Sequence, residues 1–173
     1  MPALVNLTAD EVAEANRLGD ATWELFKGKP GYYGNRQASH RMGKLGEIAV
    51  EKWAMAQGFE VEPVFRDITQ VTREDLVIGG IRVEVKTWEA KYWDDMGRCV
   101  RPMQLPALRR KTDIVIWCSR DGSEVTLHGW STIADIVAQP VVMTGPTHKR
   151  LDNHQVPVDE LRPLEAMASE NRR

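Results

Sequence analysis

The stretch "DLVIGGIRVEVK", Asp75 to Lys86, carries two acids and an amine on an otherwise apolar run around a Gly79-Gly80 pair. Two glycines between alternating apolar runs predict a two-residue hairpin turn. In that register Ile78 meets Ile81, Val77 meets Arg82, Leu76 meets Val83 and Asp75 meets Glu84. Directly opposed side chains share a face, with Cβ atoms roughly 5 Å apart. Lys86 lies two residues past Glu84 and points the same way, while Ile81, Val83 and Val85 point toward a core. Opposed carboxylates repel and weaken a hairpin. A divalent cation held between them offsets this, and Mg²⁺ favours one or two carboxylates plus waters and phosphate oxygens. Lys86 alone also neutralises one acid. The residues leave both readings open, beside a third in which a solvated edge strand carries an ordinary Lys–Glu pair.

The elements that must position these groups are legible on either side. Thr8 and Glu11 form a capping box that opens a helix over 8–27. The segment "GKPGYYGNR" is a loop with Tyr32, Tyr33, Asn35 and Arg36, residue types that stack on bases and hold phosphates or that pack a loop onto the body. A second helix is expected over Ala38–Gln57 with Gly58 as its stop. At about 100° per residue, Met42, Leu45, Ala49, Trp53 and Ala56 form its apolar arc. Arg41, Lys44, Glu51 and Lys52 form the polar arc, and Glu47 falls on the border, where an acid reaches a cleft at a sheet edge or stays in solvent.

Downstream, "FEVEPVF" (59–65) is predicted as a strand, followed by the hairpin. Residues 89–112 are charged and irregular, a long connection with room for a short helix. "DIVIWC" is a continuous apolar run, expected as a central strand buried on both faces. "EVTLHGW" is the next strand, and "STIADIVAQP" a short helix with Ser131 as N-cap. "HQVPVDELRPL" is expected as a final edge strand, with a frayed tail over 165–173. This order predicts one α/β domain over 1–173, a mixed β-sheet flanked by helices, with its core at about 38–160 and helix 8–27 packed on it.

At 173 residues the chain is long enough for one well-buried domain, with 42% hydrophobic and 28% charged residues. Net charge is −2, so no global cationic field advertises a nucleic-acid partner and any such contact must be local. Two such patches exist: Arg36, His40, Arg41 and Lys44 near Glu47, and Arg109, Arg110 and Lys111 before the buried strand. The two cysteines, Cys99 and Cys118, have no zinc-like spacing, and no His cluster suggests a metal site. His128, His148 and His154 show no partner spacing for metal or nucleophilic chemistry. No signal peptide or membrane-spanning apolar run is visible, so a cytoplasmic protein without a membrane partner is expected.

A helix reading "RMGKLGEIAVEKWAMAQGFEV", a strand, the D-x8-E-x-K string at Asp75, Glu84 and Lys86, and then an apolar strand resemble the PD-(D/E)XK nuclease superfamily. The likeness is to its restriction-like and resolvase-like members, including phage-borne ones. It covers roughly 38–135, with a looser match to the "VPVDELRPL" tail. The resemblance implies a restriction-endonuclease-like core, DNA as partner and Mg²⁺ as cofactor, with Mn²⁺ as substitute and no small-molecule cofactor. It implies a bacterial or phage-infected host cell and, because many such enzymes cut both strands as dimers, a homodimer. It assigns Asp75, Glu84 and the Val85 carbonyl as metal ligands, Glu47 as an additional ligand held directly or through water, and Lys86 as the catalytic lysine. Gln104, Trp88 and Trp93 follow as weaker substrate contacts, with solvent exposure or core packing as their ordinary roles. Glu74, not proline, precedes Asp75, which departs from the family's name-giving motif. A structure-specific, Holliday-junction-resolvase-like endonuclease and a nuclease-fold DNA-binding module without activity remain the alternatives.

Overall fold

The computed structural model describes residues 1–29, 37–70, 73–145 and 150–167. The chain is α/β, with a mixed sheet flanked by helices. It opens on a strand, β1 (Ala3–Asn6), ahead of the first expected element. Helix α1 (Ala9–Phe26) follows from the capping box: Thr8 Oγ1 accepts the Glu11 N–H at 3.2 Å, and the Glu11 carboxylate accepts the Thr8 N–H at 2.7 Å. Helix α2 (Gln37–Ala56) buries Leu45, Ile48, Ala49 and Trp53. It stops at Gly58, whose φ of +81° lets the Phe59 N–H reach back to the Ala54 carbonyl.

Strands β2 (Val61–Glu62), β3 (Leu76–Ile78) and β4 (Ile81–Glu89) come next. Gly79 and Gly80 both take positive φ, +54° and +83°, as the tight hairpin turn requires. The hairpin pairs Ile78 with Ile81, Val77 with Arg82 and Leu76 with Val83, in the expected register. The long connection folds into α3 (Trp93–Met96), β5 (Cys99–Val100) and α4 (Leu105–Lys111). Strands β6 (Ile114–Asp121) and β7 (Glu124–Thr132), helix α5 (Ile133–Ala138), β8 (Val141–Thr144) and β9 (Leu151–Gln155) complete it. The main sheet runs β1-β7-β6-β4-β3-β2, with β4 parallel to β6 and its other neighbours antiparallel; β5-β9-β8 form a second, smaller sheet.

Residues 114–119 of β6 are buried on both faces, as a continuous apolar run implies. One face, including Ile114, Ile116 and Cys118, packs with Val83, Val85 and the helices α1 and α2. The other, with Val115 and Trp117, packs against Trp93, Val100, Leu108, Ile136 and Val156.

Four local expectations give way. The segment 59–65 is a strand only at Val61–Glu62, because Pro63 has no N–H to offer and the chain turns into a 3₁₀ segment over Val64–Arg66. Thr132, not Ser131, caps α5: its Oγ1 accepts the Asp135 N–H at 3.1 Å. Ser131 is still in β7, buried, and accepts the Trp117 indole N–H at 2.9 Å. The last strand ends at Gln155, before Pro157, and Arg162 instead bridges the Trp130 backbone through two hydrogen bonds. The tail is not frayed from 165 onward, since Leu164 and Met167 are fully buried; residues 168–173 lie outside the described residues.

Helix α2 lies close on β4. A Cβ built at Gly46 would stand 1.8 Å from Thr87 Oγ1 and 3.1 Å from Thr87 Cβ. Gly46→Ala is expected to lower stability by about 1–2 kcal/mol, overpacking outweighing the gain in helix propensity. Thr87→Ala in the same chain should recover most of the loss, because Thr87 Oγ1 is buried without a hydrogen-bond partner among the described residues. Urea unfolding of the two single variants and the double variant measures this, and an additive double variant would contradict it.

Candidate active site

The hairpin ladder stops at Leu76–Val83. Beyond it β3 turns away, while β4 continues to Glu89 alongside β6, so the other edge of β4 loses its β3 partner from Glu84 onward. The Asp75–Glu84 pair therefore does not form as a rung of the ladder. Asp75 donates its N–H to the Val83 carbonyl at 2.9 Å, and its carbonyl accepts the Phe65 N–H at 2.8 Å. Its carboxylate accepts the Val85 N–H at 2.8 Å, so a side chain takes the place of a departing strand. Three hydrogen bonds fix Asp75 at the point where the sheet opens.

Glu84 and Lys86 alternate with Val85 and Thr87 along β4, and Val85 and Thr87 are the side chains nearest Gly46 of α2. Glu84 and Lys86 therefore enter from one face and Glu47 of α2 from the other, and they meet at the open edge. Together with Asp75, Lys44 and Lys111 they line one cavity of about 350 Å³. Glu47, the border acid of α2, is buried, as is Glu84. Glu47 accepts from Lys44 Nζ at 2.6 Å, one turn back on α2. The Glu84 oxygens lie 3.3 Å from Lys86 Nζ and 2.5 Å from Lys111 Nζ.

The electrostatics follow from crowding. Burial, followed by the charges of Glu84 and Glu47, pushes the Asp75 carboxyl well above the usual aspartate range. Burial also raises Glu47, despite Lys44 beside it, and Glu84 adds to the rise. Glu84 goes the other way: burial opposes its charge, but Lys86 and Lys111 outweigh it and hold the carboxyl below the usual range. Burial likewise opposes the charge on Lys111, and Glu84 and Asp75 reverse the balance and raise its pKa.

The donor chemistry is all oxygen, which suits a hard cation such as Mg²⁺ rather than zinc or copper. As the side chains stand, among the described residues no group of three or more His, Cys, Asp and Glu is placed to hold one metal ion. The reason is visible at each acid: Asp75 faces the Val85 N–H, Glu47 faces Lys44, and Glu84 faces two ammonium groups.

The other expected contacts sort differently. Lys44 and Lys111 point into the acid cluster rather than out to solvent. Arg41 ties α2 to α1 through two bonds to the Asp20 carboxylate, at 2.6 and 2.7 Å. Arg109 and Arg110 are exposed on the last turn of α4, and Arg36 lies outside the described residues with Tyr32, Tyr33 and Asn35. His40 lines the cavity near Trp23, and burial lowers its pKa. Gln104 is exposed and accepts the Arg101 N–H at 3.1 Å. Trp88 and Trp93 pack: Trp88 stacks on Trp117, and Trp93 stacks on His128 at 3.7 Å between ring centroids. Burial brings His128 down to about 4. The His154 ring meets the Gln139 carbonyl at 2.7 Å, and His148 lies outside the described residues. Arg73, which sequence reasoning did not single out, lines the cavity and pairs with Glu74 and Glu62. The Lys44–Glu47 contact was available from its i,i+3 spacing. Compared with protein-family models, curated proteins and solved structures, the chain matches none of them.

Because the folded protein holds the Asp75 proton more tightly than the unfolded chain does, this group favours folding at low pH. That contribution is lost as pH rises through the raised value. Asp75→Asn, which keeps an acceptor for the Val85 N–H, is expected to stabilise the protein in the absence of divalent ions at neutral pH by on the order of 1 kcal/mol. The gain should vanish below the ordinary aspartate value of about 3.9. Denaturant unfolding across pH 3–8 reads both limbs; a variant less stable at neutral pH would refute the repulsion.

Proposed function

We propose that this chain is a metal-dependent nuclease of the PD-(D/E)XK kind, hydrolysing phosphodiester bonds of DNA. The observation that carries the reading is the meeting of Asp75, Glu84 and Glu47 with Lys86 in one cavity, at the edge that β3 leaves open. Composition alone does not gather three mutually repelling acids there, and a purely structural role gains nothing from the repulsion.

In this reading Asp75, Glu84 and the Val85 carbonyl hold the cation, with Glu47 bound directly or through water. When bound, Mg²⁺ neutralises phosphate charge and lowers the pKa of a coordinated water. Two backbone hydrogen bonds fix the Asp75 main chain and the Val85 N–H holds one carboxylate oxygen, so on this reading the other oxygen is the one that meets the cation. Lys86 Nζ shares the cavity, where it positions the attacking water and donates to charge developing on the phosphate. Arg73 at the cavity wall and the exposed Arg109 and Arg110 are phosphate contacts on this reading.

A second reading has its own observation. Every acid of the cluster already has an internal donor, and the side chains are not arranged around one ion, which suits a nuclease-fold DNA-binding module without catalysis.

The separating experiment is a cleavage panel on plasmid, linear and branched DNA, with Mg²⁺, Mn²⁺ or chelator. Asp75→Ala and Lys86→Ala should each lower metal-dependent cleavage by at least about 10²-fold while the circular dichroism spectrum is unchanged. Metal binding without cutting selects the binding module. Neither metal binding nor cutting leaves the acids as a structural cluster, and full cutting by folded variants removes both residues from the chemistry.

A further inference from the structure

Lys111 is one of three consecutive basic residues, a run that reads from sequence either as a solvated surface or as phosphate contacts. Its neighbours Arg109 and Arg110 are exposed, yet Lys111 turns inward from the last turn of α4. Its side chain is 19% exposed, and its Nζ stands 2.5 Å from Glu84 Oε2. That contact is shorter than the 3.3 Å from Lys86, the lysine of the same strand. Asp75 and Glu47 line the same cavity, so the ammonium sits where the fields of three acids add. A position at which oxygen donors converge and a positive charge is required describes a cation site as well as a lysine site.

Resting on the nuclease reading above, we propose that Lys111 is the protein's own place-holder for a divalent cation. Its ammonium occupies Glu84 in the metal-free protein and must leave that carboxylate before a metal ion can take it. A divalent ion attracts the acids with twice the charge of an ammonium. The ammonium has the advantage of a tether, which keeps its local concentration high. The two therefore compete, and the apparent metal affinity is the intrinsic one scaled by the fraction of molecules in which Glu84 is free. Lys111 in this role is a positioning residue: it holds the acids compact without a metal and sets the metal concentration at which the site forms.

The test is calorimetric titration of the full chain with MgCl₂ or MnCl₂. Lys111→Met is expected to bind either ion at least about tenfold more tightly than the parent, because nothing has to be displaced. Without metal the same variant should melt lower, since Glu84 loses its nearest counter-charge, and metal should restore the loss. Lys91→Met removes an exposed charge elsewhere and should leave affinity within about twofold. The parent protein gives a readout that needs no variant: acylation of the Lys111 amine, followed by mass spectrometry, should speed up several-fold when Mg²⁺ is added. Parent binding with unchanged or weaker binding by folded Lys111→Met, or with acylation insensitive to Mg²⁺, overturns the place-holder role and leaves the nuclease reading standing. Binding by the variant alone supports the place-holder. Failure of both proteins to bind any divalent ion overturns the nuclease reading and this inference with it.

Discussion

The convergence of Asp75, Glu47 and Glu84, three of the five acids that line one cavity, is the condition to which the rest of the structure answers. Two unit charges about 4 Å apart interact by about 4 kcal/mol at the effective dielectric of a protein site. A whole domain is stable by only about 5–15 kcal/mol. Asp75, Glu47 and Glu84 therefore cannot share the cavity without counter-charge, and three lysines supply it from three elements: Lys44 from α2, Lys86 from β4 and Lys111 from α4. The raised pKa of Asp75 and Glu47 and the lowered one of Glu84 divide the strain: two of the three lysines, Lys86 and Lys111, concentrate on Glu84, and the other two acids carry the repulsion.

Such a cluster survives only on rigid supports. β6 supplies one, buried on both faces and pairing with β4 from Val83 to Glu89. α2 supplies another, held against β4 by the close approach at Gly46, with Glu47 next in sequence. On the face opposite α2, Trp88 of the same strand packs against Trp93 and Trp117, and Trp117 is the register partner of Lys86. The cavity is thus a gap in the sheet rather than a groove on its surface: β3 stops after three residues, and the groups it would have covered become reachable.

What was legible in the sequence was local. The Gly79-Gly80 turn dictates its own register, so the hairpin can be read residue by residue. The capping box at Thr8 and the two-sided burial of 114–119 are equally short-range signals. What was not legible depends on partners distant in sequence. β1 is four residues long, and its strand character comes from pairing with the distant β7, as Ala3 facing Leu127 shows. The inward turn of Lys111 follows from β6 running parallel to β4, which brings the end of α4 to the start of the acid-bearing strand; a run of basic residues read alone looks like surface. The α5 cap was misplaced by one residue because β7 extends far enough for Trp117 to claim Ser131.

The choice of cation divides the structural ion pairs from the site. On the outside, arginines make two-pronged contacts with acids: Arg41 with Asp20, Arg66 with Glu51, Arg82 with Asp113 and Arg162 with Asp135. These join elements, α1 to α2 in the first case and the start of β4 to the start of β6 in the third, and the planar fork suits a permanent tie. Among the described residues, the cations that touch the clustered acids are all lysines. An ammonium is a point charge on a flexible stem, strongly hydrated when released, so water recovers part of the energy of breaking its contact. A cluster meant only to hold the fold would be served better by forks. One built from point charges at the open edge of a sheet can rearrange its partners while the backbone beneath stays fixed.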